Sequence, residues 1–248
     1  MARARAWLAE AVDLIYPPAC AACGAETAEP EALCPACFAE TTFLSEPLCA
    51  RCGVPTPALE VEPAADRLCA ACLAEPPAFA TARAAVLYEG PARRMTLALK
   101  HGDALEVART VAPWMLRAAR PRVMAADRIA PTPLNWRRLL ARRANQAAEL
   151  ARALARAAGR DAAYAPGLLR RIRGTPSQEG RGRAARRENV AGAFAARGDL
   201  VGAHVLLVDD VITTGATLSA CAEALLAAGA ARVDAVALAR VADPSFRV

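Results

Sequence analysis

The sequence predicts an α/β protein in which a mostly parallel sheet carries helices on both faces and follows a small metal-bound module. Three observations predict this class. An apolar strand followed by two acids and a Thr/Gly turn is typical of the carboxyl end of a parallel strand. Strand-like and helix-like segments alternate after residue 76. Four Cys-x-x-Cys pairs precede them. We therefore predict an N-terminal helix and metal module over residues 1–76 and an α/β domain over residues 77–248.

Eight of the nine cysteines fall into the four Cys-x-x-Cys pairs of the first module. One pair places two thiolates on a metal ion, and two pairs complete a tetrahedral site with four sulfur ligands. Pairing in chain order predicts two structural Zn²⁺ ions, although a crossed pairing stays open. Disulfides and iron–sulfur clusters are the alternatives, but nothing in the sequence signals secretion, and spacing alone does not fix the metal. The two predicted sets are Cys20, Cys23, Cys34 and Cys37, and Cys49, Cys52, Cys69 and Cys72.

The first module is acidic, with 4 basic and 11 acidic side chains in residues 1–76. Its few apolar residues lack periodicity, so we expect it to need metal to fold. Each zinc ion with four thiolates adds a charge of about −2, which repels a nucleic-acid backbone on average. We therefore expect a structural or partner-docking role. At its start, Met1–Ile15 predicts a short amphipathic helix, in which Glu10 and Asp13 interrupt any signal-peptide core.

After residue 76 the chain alternates between strands and helices, as βαβ units do. The predicted elements are a strand over Thr81–Tyr88, a helix over Arg93–Lys100, a longer helix broken near Pro113, a strand over Asp127–Ala130, an Arg-rich helix over Asn135–Ala158, a strand over Leu168–Ile172, a polar loop over Arg173–Asn189, and a last strand over Arg232–Ala239.

One stretch carries the strongest functional signal. The apolar run Val205–Val208 predicts a strand buried on both faces, and Asp209 and Asp210 follow at its carboxyl end. The turn Thr213–Thr217 precedes a helix predicted over Leu218–Ala228, and backbone N–H groups at such a helix start suit a phosphate. An acid pair that can bind a diol, beside a phosphate cradle, predicts a sugar-phosphate site.

The order of apolar strand, two acids and Thr/Gly turn resembles the phosphoribosyl pyrophosphate (PRPP) motif of type I phosphoribosyltransferases. Further segments narrow this resemblance: the four cysteine pairs, Leu99–Asp103, Ala130–Leu134, Arg142–Gln146 and Gln178–Phe194. With them, nearly the whole chain is similar to the ComF family. Members join a double zinc ribbon to a phosphoribosyltransferase-like domain and are associated with DNA uptake in competent bacteria.

The resemblance implies a type I phosphoribosyltransferase-like sheet and a site for PRPP with Mg²⁺. Asp209 and Asp210 would lie near the ribose hydroxyls, directly or through Mg²⁺ or water. Lys100 would contact the pyrophosphate, with Thr132 and Pro133 in the neighbouring loop. The residues that would wrap the 5′-phosphate, mostly through backbone N–H groups, are Thr213, Thr214, Gly215, Ala216 and Thr217.

The net charge of +6 is concentrated in residues 128–197, which hold 16 basic and 4 acidic side chains. This segment suits a phosphate backbone, and binding would depend steeply on salt. Aromatic side chains that could stack on bases are scarce nearby. A solvated helix face is one alternative, and arginines that complete the pyrophosphate site are another. The candidate nucleic-acid contacts are Arg142, Arg143, Arg181, Arg183, Arg186 and Arg187.

We expect a PRPP-binding zinc protein that takes part in handling incoming single-stranded DNA, as the resemblance implies. The main competing hypothesis is an active phosphoribosyltransferase with an unidentified acceptor, although no nucleobase pocket is evident and Thr213 stands where purine-salvage relatives place an acid. The third is a structural adaptor that docks other DNA-uptake proteins through its ribbon. No apolar run is long enough to span a bilayer, and we expect a cytoplasmic protein.

Overall fold

The computed structural model describes residues 17–56, 67–99, 104–134, 145–174 and 183–242. The N-terminal helix predicted over residues 1–15, the turn at 100–103 and the first part of the Arg-rich helix lie outside these ranges. Within them, no helix has the length and apolar character needed to cross a bilayer.

Strands and helices alternate along most of the described chain. The strands are β1 (Thr81–Leu87), β2 (Arg128–Pro131), β3 (Leu169–Arg171), β4 (Phe194–Ala196), β5 (His204–Ile212) and β6 (Arg232–Arg240). The helices are α1 (Pro35–Ala39), α2 (Ala70–Ala74), α3 (Gly90–Ala98), α4 (Ala104–Ala125), α5 (Gln146–Ala157), α6 (Arg183–Val190) and α7 (Ala216–Ala227), with a short 3₁₀ helix at Asp161–Ala163.

Four strands form a parallel sheet in the order β1-β6-β5-β2. β5 and β6 have near-continuous runs of Val, Leu and Ala, as strands buried on both faces require. Their buried side chains exclude water from both faces, so the strands hold their register through main-chain bonds and packing. The predicted parallel sheet is confirmed.

Helices cover both faces of this sheet. On one face, Met115 of α4 and Leu150 of α5 belong to the same buried cluster as Leu206 of β5. On the other face, Leu218 of α7 belongs to a cluster with Leu207. The alternation of neighbouring β5 residues between the two clusters follows from the two-residue period of a strand. The predicted fold class, with helices on both faces, is confirmed.

The break predicted near Pro113 is wrong, because α4 continues through that residue. Pro113 lies on the exposed side of α4, where water can bond to the carbonyl group that a proline leaves without a partner. The backbone instead leaves helical geometry at Ala119, with φ of −130°, two residues before Pro121. The kink therefore belongs to the second proline, whose ring crowds the preceding turn.

The polar loop predicted over Arg173–Asn189 is wrong for its second half, which forms most of α6. Val190 at the end of α6 is buried in the core. Arg187 Nη1 lies 2.8 Å from Glu75 Oε1 of the cysteine-rich segment. These tertiary contacts stabilise a helix that has few apolar residues of its own. The short strands β3 and β4, which flank α6 in the chain, pair antiparallel with each other.

The cysteine-rich segment extends the sheet beyond β1. The Leu44 N–H group donates to the Ala85 carbonyl oxygen, and the Leu87 N–H group donates to that of Thr42, both at 2.9 Å. This antiparallel contact covers the side of β1 that faces away from β6. The boundary placed between residues 76 and 77 stays a prediction.

Candidate ligand site and metal centres

The acid pair lies within the last four residues of β5. The strand continues through Asp209 and Asp210 to Ile212, and so ends later than the apolar run suggested. Oδ1 of each carboxylate accepts the backbone N–H of the next residue, at 3.0 and 2.8 Å. Both acids are partly buried at the carboxyl edge of the sheet. This edge is where open α/β sheets bind their ligands.

Asp209 is held by the loop that follows β2. Thr132 Oγ1 donates to Asp209 Oδ1 at 2.8 Å, and Thr132 is itself buried. Burial, and then the negative charge of Asp210, raise the pKa of Asp209 to about 8. Two adjacent carboxylates in such a place favour a cation or a hydrogen-bond donor as partner.

Asn145 orients the loop that carries Thr132. Its Nδ2 donates to the Thr132 carbonyl oxygen at 3.1 Å, and its Oδ1 accepts the Ala147 N–H at 3.1 Å, which caps α5. Asn145 was not among the predicted site residues, because it was placed inside a longer predicted helix. The preference of Asn for the N-cap position was the signal that could have found it.

The turn after β5 has the geometry of an anion site. Gly215 immediately precedes α7 with φ of +80°, a left-handed conformation that glycine adopts readily. The start of this 12-residue helix offers N–H groups and the positive end of its dipole. Residues of the turn line a small hollow together with the acid on β5, and these residues are Asp209, Val211, Ile212, Thr213, Gly215, Ala216, Thr217 and Leu218.

Phe79 supports this turn from the core. Its side chain is 1% exposed, and a Cβ atom added at Gly215 would lie 3.6 Å from the Phe79 ring. One residue earlier, the Ala78 N–H group donates to Ser219 Oγ of α7 at 3.0 Å. The residues just after the second cysteine set thus hold the turn and the first part of α7. A large aromatic between Pro77 and a strand was the available signal for Phe79.

The cysteines form the two tetrads expected from pairing in chain order. Within each tetrad the sulfur atoms lie within 4.8 Å of one another. Measured Sγ–Sγ distances are 3.8 Å for Cys23 and Cys34, and 3.7 Å for Cys52 and Cys69. A tetrahedral zinc ion with Zn–S bonds of about 2.3 Å separates its sulfurs by about 3.8 Å. The nine cysteines are free thiols, so the structure fits two zinc sites and not disulfides.

The two tetrads differ in burial. All four cysteines of the second tetrad are buried, and they belong to the same cluster as α7. In the first tetrad, Cys23 is exposed. Gly53 brings the second tetrad close to β1, because a Cβ atom there would lie 2.5 Å from the Ala82 carbonyl oxygen. The second tetrad is therefore part of the core of the α/β domain.

Each tetrad accepts a hydrogen bond from a different arginine of the α/β domain. Arg94 Nη2 lies 3.5 Å from Cys37 Sγ, and Arg240 Nη2 lies 3.3 Å from Cys52 Sγ. Such contacts offset the negative charge of thiolates on a metal ion. Neither arginine was predicted, since only the folded chain brings them to the cysteines.

The predicted nucleic-acid contacts are only partly described. Arg142, Arg143 and Arg181 lie outside the described residues, as does the predicted pyrophosphate contact Lys100. Arg183 and Arg186 lie on α6, as does Arg187, whose side chain pairs with Glu75.

Fold and site together define a phosphoribosyltransferase-like α/β protein with a double zinc ribbon. Residues 11–73 match the double zinc ribbon domain and residues 144–247 match the phosphoribosyl transferase domain. The DNA utilization protein YhgH of Salmonella typhimurium (strain LT2) is 32% identical over 200 residues, which cover 78% of this chain and 84% of that protein. YhgH of Escherichia coli (strain K12) is 29% identical over 213 residues, which cover 84% and 90%. The chain belongs to the ComF family that its motifs resemble.

Among solved structures, that of TT1426 from Thermus thermophilus is 17% identical, with a TM-score of 0.33 over 57% of this chain and 85% of that one. The family assignment rests on the sequence relatives.

Proposed function

We propose that the protein binds PRPP together with Mg²⁺ at the carboxyl edge of the sheet. The observation that supports this most is the acid pair on β5 beside the turn that begins α7. Asp209 and Asp210 are hydroxyl acceptors and hard oxygen ligands, which suits ribose hydroxyls and Mg²⁺. The turn Thr213–Thr217 offers N–H groups at a helix start, which suits the 5′-phosphate. A ribose phosphate with a metal-bound pyrophosphate needs both.

The pyrophosphate would lie near the loop after β2. Thr132 belongs to this loop and also orients Asp209 through its hydroxyl group. Lys100 completes the proposed contacts to the pyrophosphate. A lysine there would neutralise charge that the acid pair repels.

Calorimetry tests the site directly. We expect wild type to bind PRPP in the presence of Mg²⁺, and Asp209→Asn/Asp210→Asn to bind at least about tenfold more weakly, since it loses two charged ligand contacts. Asp161→Asn, which removes an exposed carboxylate on the 3₁₀ helix, is the control and should bind as wild type does. No heat for wild type, or unchanged heat for the double variant, contradicts the proposal.

We further propose that the protein acts in the handling of single-stranded DNA. Two observations support this: the relatives are named DNA utilization proteins, and the chain holds its excess positive charge in residues 128–197. A basic segment supplies the salt-dependent part of nucleic-acid binding, which needs no base recognition.

Substitutions that remove positive charge test the proposed DNA binding. Arg181, Arg183 and Arg186 are changed to Gln together, while Arg187 is kept because it pairs with Glu75. If all three contact phosphates, the slope of log K against log salt for a single strand falls by about 2, at about 0.7 per contact. An unchanged slope contradicts DNA binding through these arginines. The control replaces two exposed arginines outside the basic segment, namely Arg93 and Arg120, and should leave the slope unchanged.

Phosphoribosyl transfer remains the competing proposal for the same site. It is tested by incubating the protein with PRPP, Mg²⁺ and candidate bases while pyrophosphate is measured. Release that depends on a base assigns the protein to the active transferases, whereas bound PRPP without release supports a binding role. Docking of other DNA-uptake proteins on the ribbon stays a prediction.

A further inference from the structure

We propose that the second cysteine tetrad and buried Arg240 are a working part of the PRPP site, so that metal held by this tetrad sets PRPP affinity while the first tetrad does not. The inference rests on the proposed PRPP function. It assigns Arg240 as a positioning residue, since its side chain contacts a tetrad sulfur and not the acid pair.

The burial of Arg240 is the first observation. Its side chain is 3% exposed, and neither Nε nor Nη1 has a hydrogen-bond partner among the described residues. Nη2 donates to Cys52 Sγ at 3.3 Å. A buried guanidinium group needs a nearby negative charge, and four thiolates around a divalent ion carry about −2. The metal-loaded tetrad is therefore the counter-ion of Arg240.

The position of Arg240 connects the tetrad to the ligand site. Arg240 ends β6 and pairs in register with Ile212, the last residue of β5. The next N–H group, that of Val241, donates to the Ile212 carbonyl oxygen at 3.0 Å. Thr213 follows Ile212 and begins the phosphate turn. A shift of Arg240 would therefore reach the turn through one pair of hydrogen-bonded strands.

A second route joins the tetrad to the same turn. Cys52 and Cys72 line a cavity of about 20 Å³ together with Thr214 and Gly215. The ring of Phe79 lies on its wall and against Gly215. A space of this size holds about one water molecule, so only a small gap separates the sulfur atoms from the turn. Collapse of the tetrad would remove support from the turn.

The first tetrad lacks both routes. None of its cysteines belongs to the buried cluster that contains α7 and the second tetrad. Its arginine, Arg94, has a side chain that is 47% exposed and pairs with Glu40 at 3.6 Å. Arg94 lies on α3, which packs on the opposite face of the sheet. The two tetrads thus provide an internal comparison. Loss of metal from the second tetrad should weaken PRPP binding, and loss from the first should not.

The test compares Arg240→Met with Arg94→Met. Each variant should lose its own zinc ion to a chelator about 10- to 100-fold more readily than wild type, the usual effect of removing a partner of a metal ligand. Alkylation of released thiols followed by mass spectrometry identifies which tetrad opened. By calorimetry with Mg²⁺, PRPP affinity should fall about tenfold or more in Arg240→Met and stay within about twofold in Arg94→Met.

Arg240→Lys keeps the charge, so its zinc retention and its PRPP affinity should lie between those of Arg240→Met and wild type. If Arg240→Met does not fold, graded chelation of wild type replaces it. PRPP heat should then decline in step with alkylation of the second tetrad and not the first. Unchanged PRPP affinity with the second tetrad open overturns the inference, as does unchanged zinc retention in both Arg240 variants. Absence of PRPP heat in wild type instead refutes the proposed function, while zinc retention still decides the contact with Arg240.

Discussion

The carboxyl group of Asp209 holds its proton to high pH, because it is buried and lies beside Asp210, and its pKa is about 8. A carboxyl pKa raised by folding means that the folded protein opposes ionisation, so stability falls as pH rises from about 4 toward 8. A ligand that needs the carboxylate must displace the proton at neutral pH. PRPP affinity with Mg²⁺ should therefore rise between about pH 6 and 8, by up to about tenfold per pH unit.

Calorimetry in two buffers of different ionisation enthalpy measures this proton. We expect wild type to release close to one proton per PRPP at pH 7, and almost none at about pH 9. Asp210→Asn removes the neighbouring charge, lowers the pKa of Asp209 and should reduce the release at pH 7. Equal release by the two proteins at saturating PRPP argues against a titrating Asp209.

Thr132 allows a second prediction at this scale. Thr132→Val keeps the shape of the side chain but removes the hydroxyl that donates to Asp209. PRPP binding should weaken about tenfold or more, the effect of one hydrogen bond to a charged group, while Thr132→Ser should stay within about twofold of wild type. Calorimetry at pH 8 decides it, and wild-type affinity in the Val variant means that Thr132 does not orient the acid.

Among the elements, the turn between β5 and α7 depends on the left-handed backbone of Gly215. Gly215→Ala meets no clash, because the nearest atoms of Phe79 lie 3.6 Å from the added Cβ. The alanine must still adopt φ near +80°, so the free energy of unfolding should fall by about 1 kcal/mol. A turn that relaxes from this geometry should also bind PRPP about tenfold more weakly.

Gly198 supplies the matched control. It has φ of +86° with nothing within 4 Å of an added Cβ, and it lies outside the site. Gly198→Ala should lose similar stability in urea unfolding and keep wild-type PRPP affinity. If both variants lose affinity equally, the effect is general destabilisation.

Local patterns allowed much of the site to be predicted from sequence. The acid pair, the turn before α7 and the cysteine spacing each occupy a few consecutive residues, so their chemistry is visible without a fold. The parallel strands were predicted for the same reason, since an apolar run such as Val205–Val208 has one favourable environment.

The rest depends on contacts between distant segments. α6 has few apolar residues and is held by Val190 in the core and by the pairing of Arg187 with Glu75. Arg240 and Cys52 are 188 residues apart in the chain. No pattern within a short window carries such information, and a polar helix or a buried arginine is visible only once the partners are in place.

At the scale of the whole molecule, zinc should stabilise the α/β sheet as well as the ribbon that binds it. The ribbon covers one side of β1, and its second tetrad lies in the core that contains α7. Metal bound about a thousandfold above its dissociation constant contributes about 4 kcal/mol. Chelation should therefore lower the melting temperature of the full chain by about 10 °C. We expect the ribbon and the sheet to unfold together in a single transition. Calorimetric unfolding with and without chelator measures this, and an unchanged sheet transition would contradict it.

The position of β6 in the sheet has a consequence for synthesis on the ribosome. Among the strands that the structure describes, β6 comes last in chain order, yet it lies between β1 and β5. Until it emerges, β1 and β5 have no common neighbour, and their unpaired backbone groups remain open to other chains. The ribbon can take up metal early, but the sheet must wait for residues 232–240 before it can close. Nascent chains should thus spend their growth with a finished metal module and an incomplete sheet, the period when chaperone protection matters most.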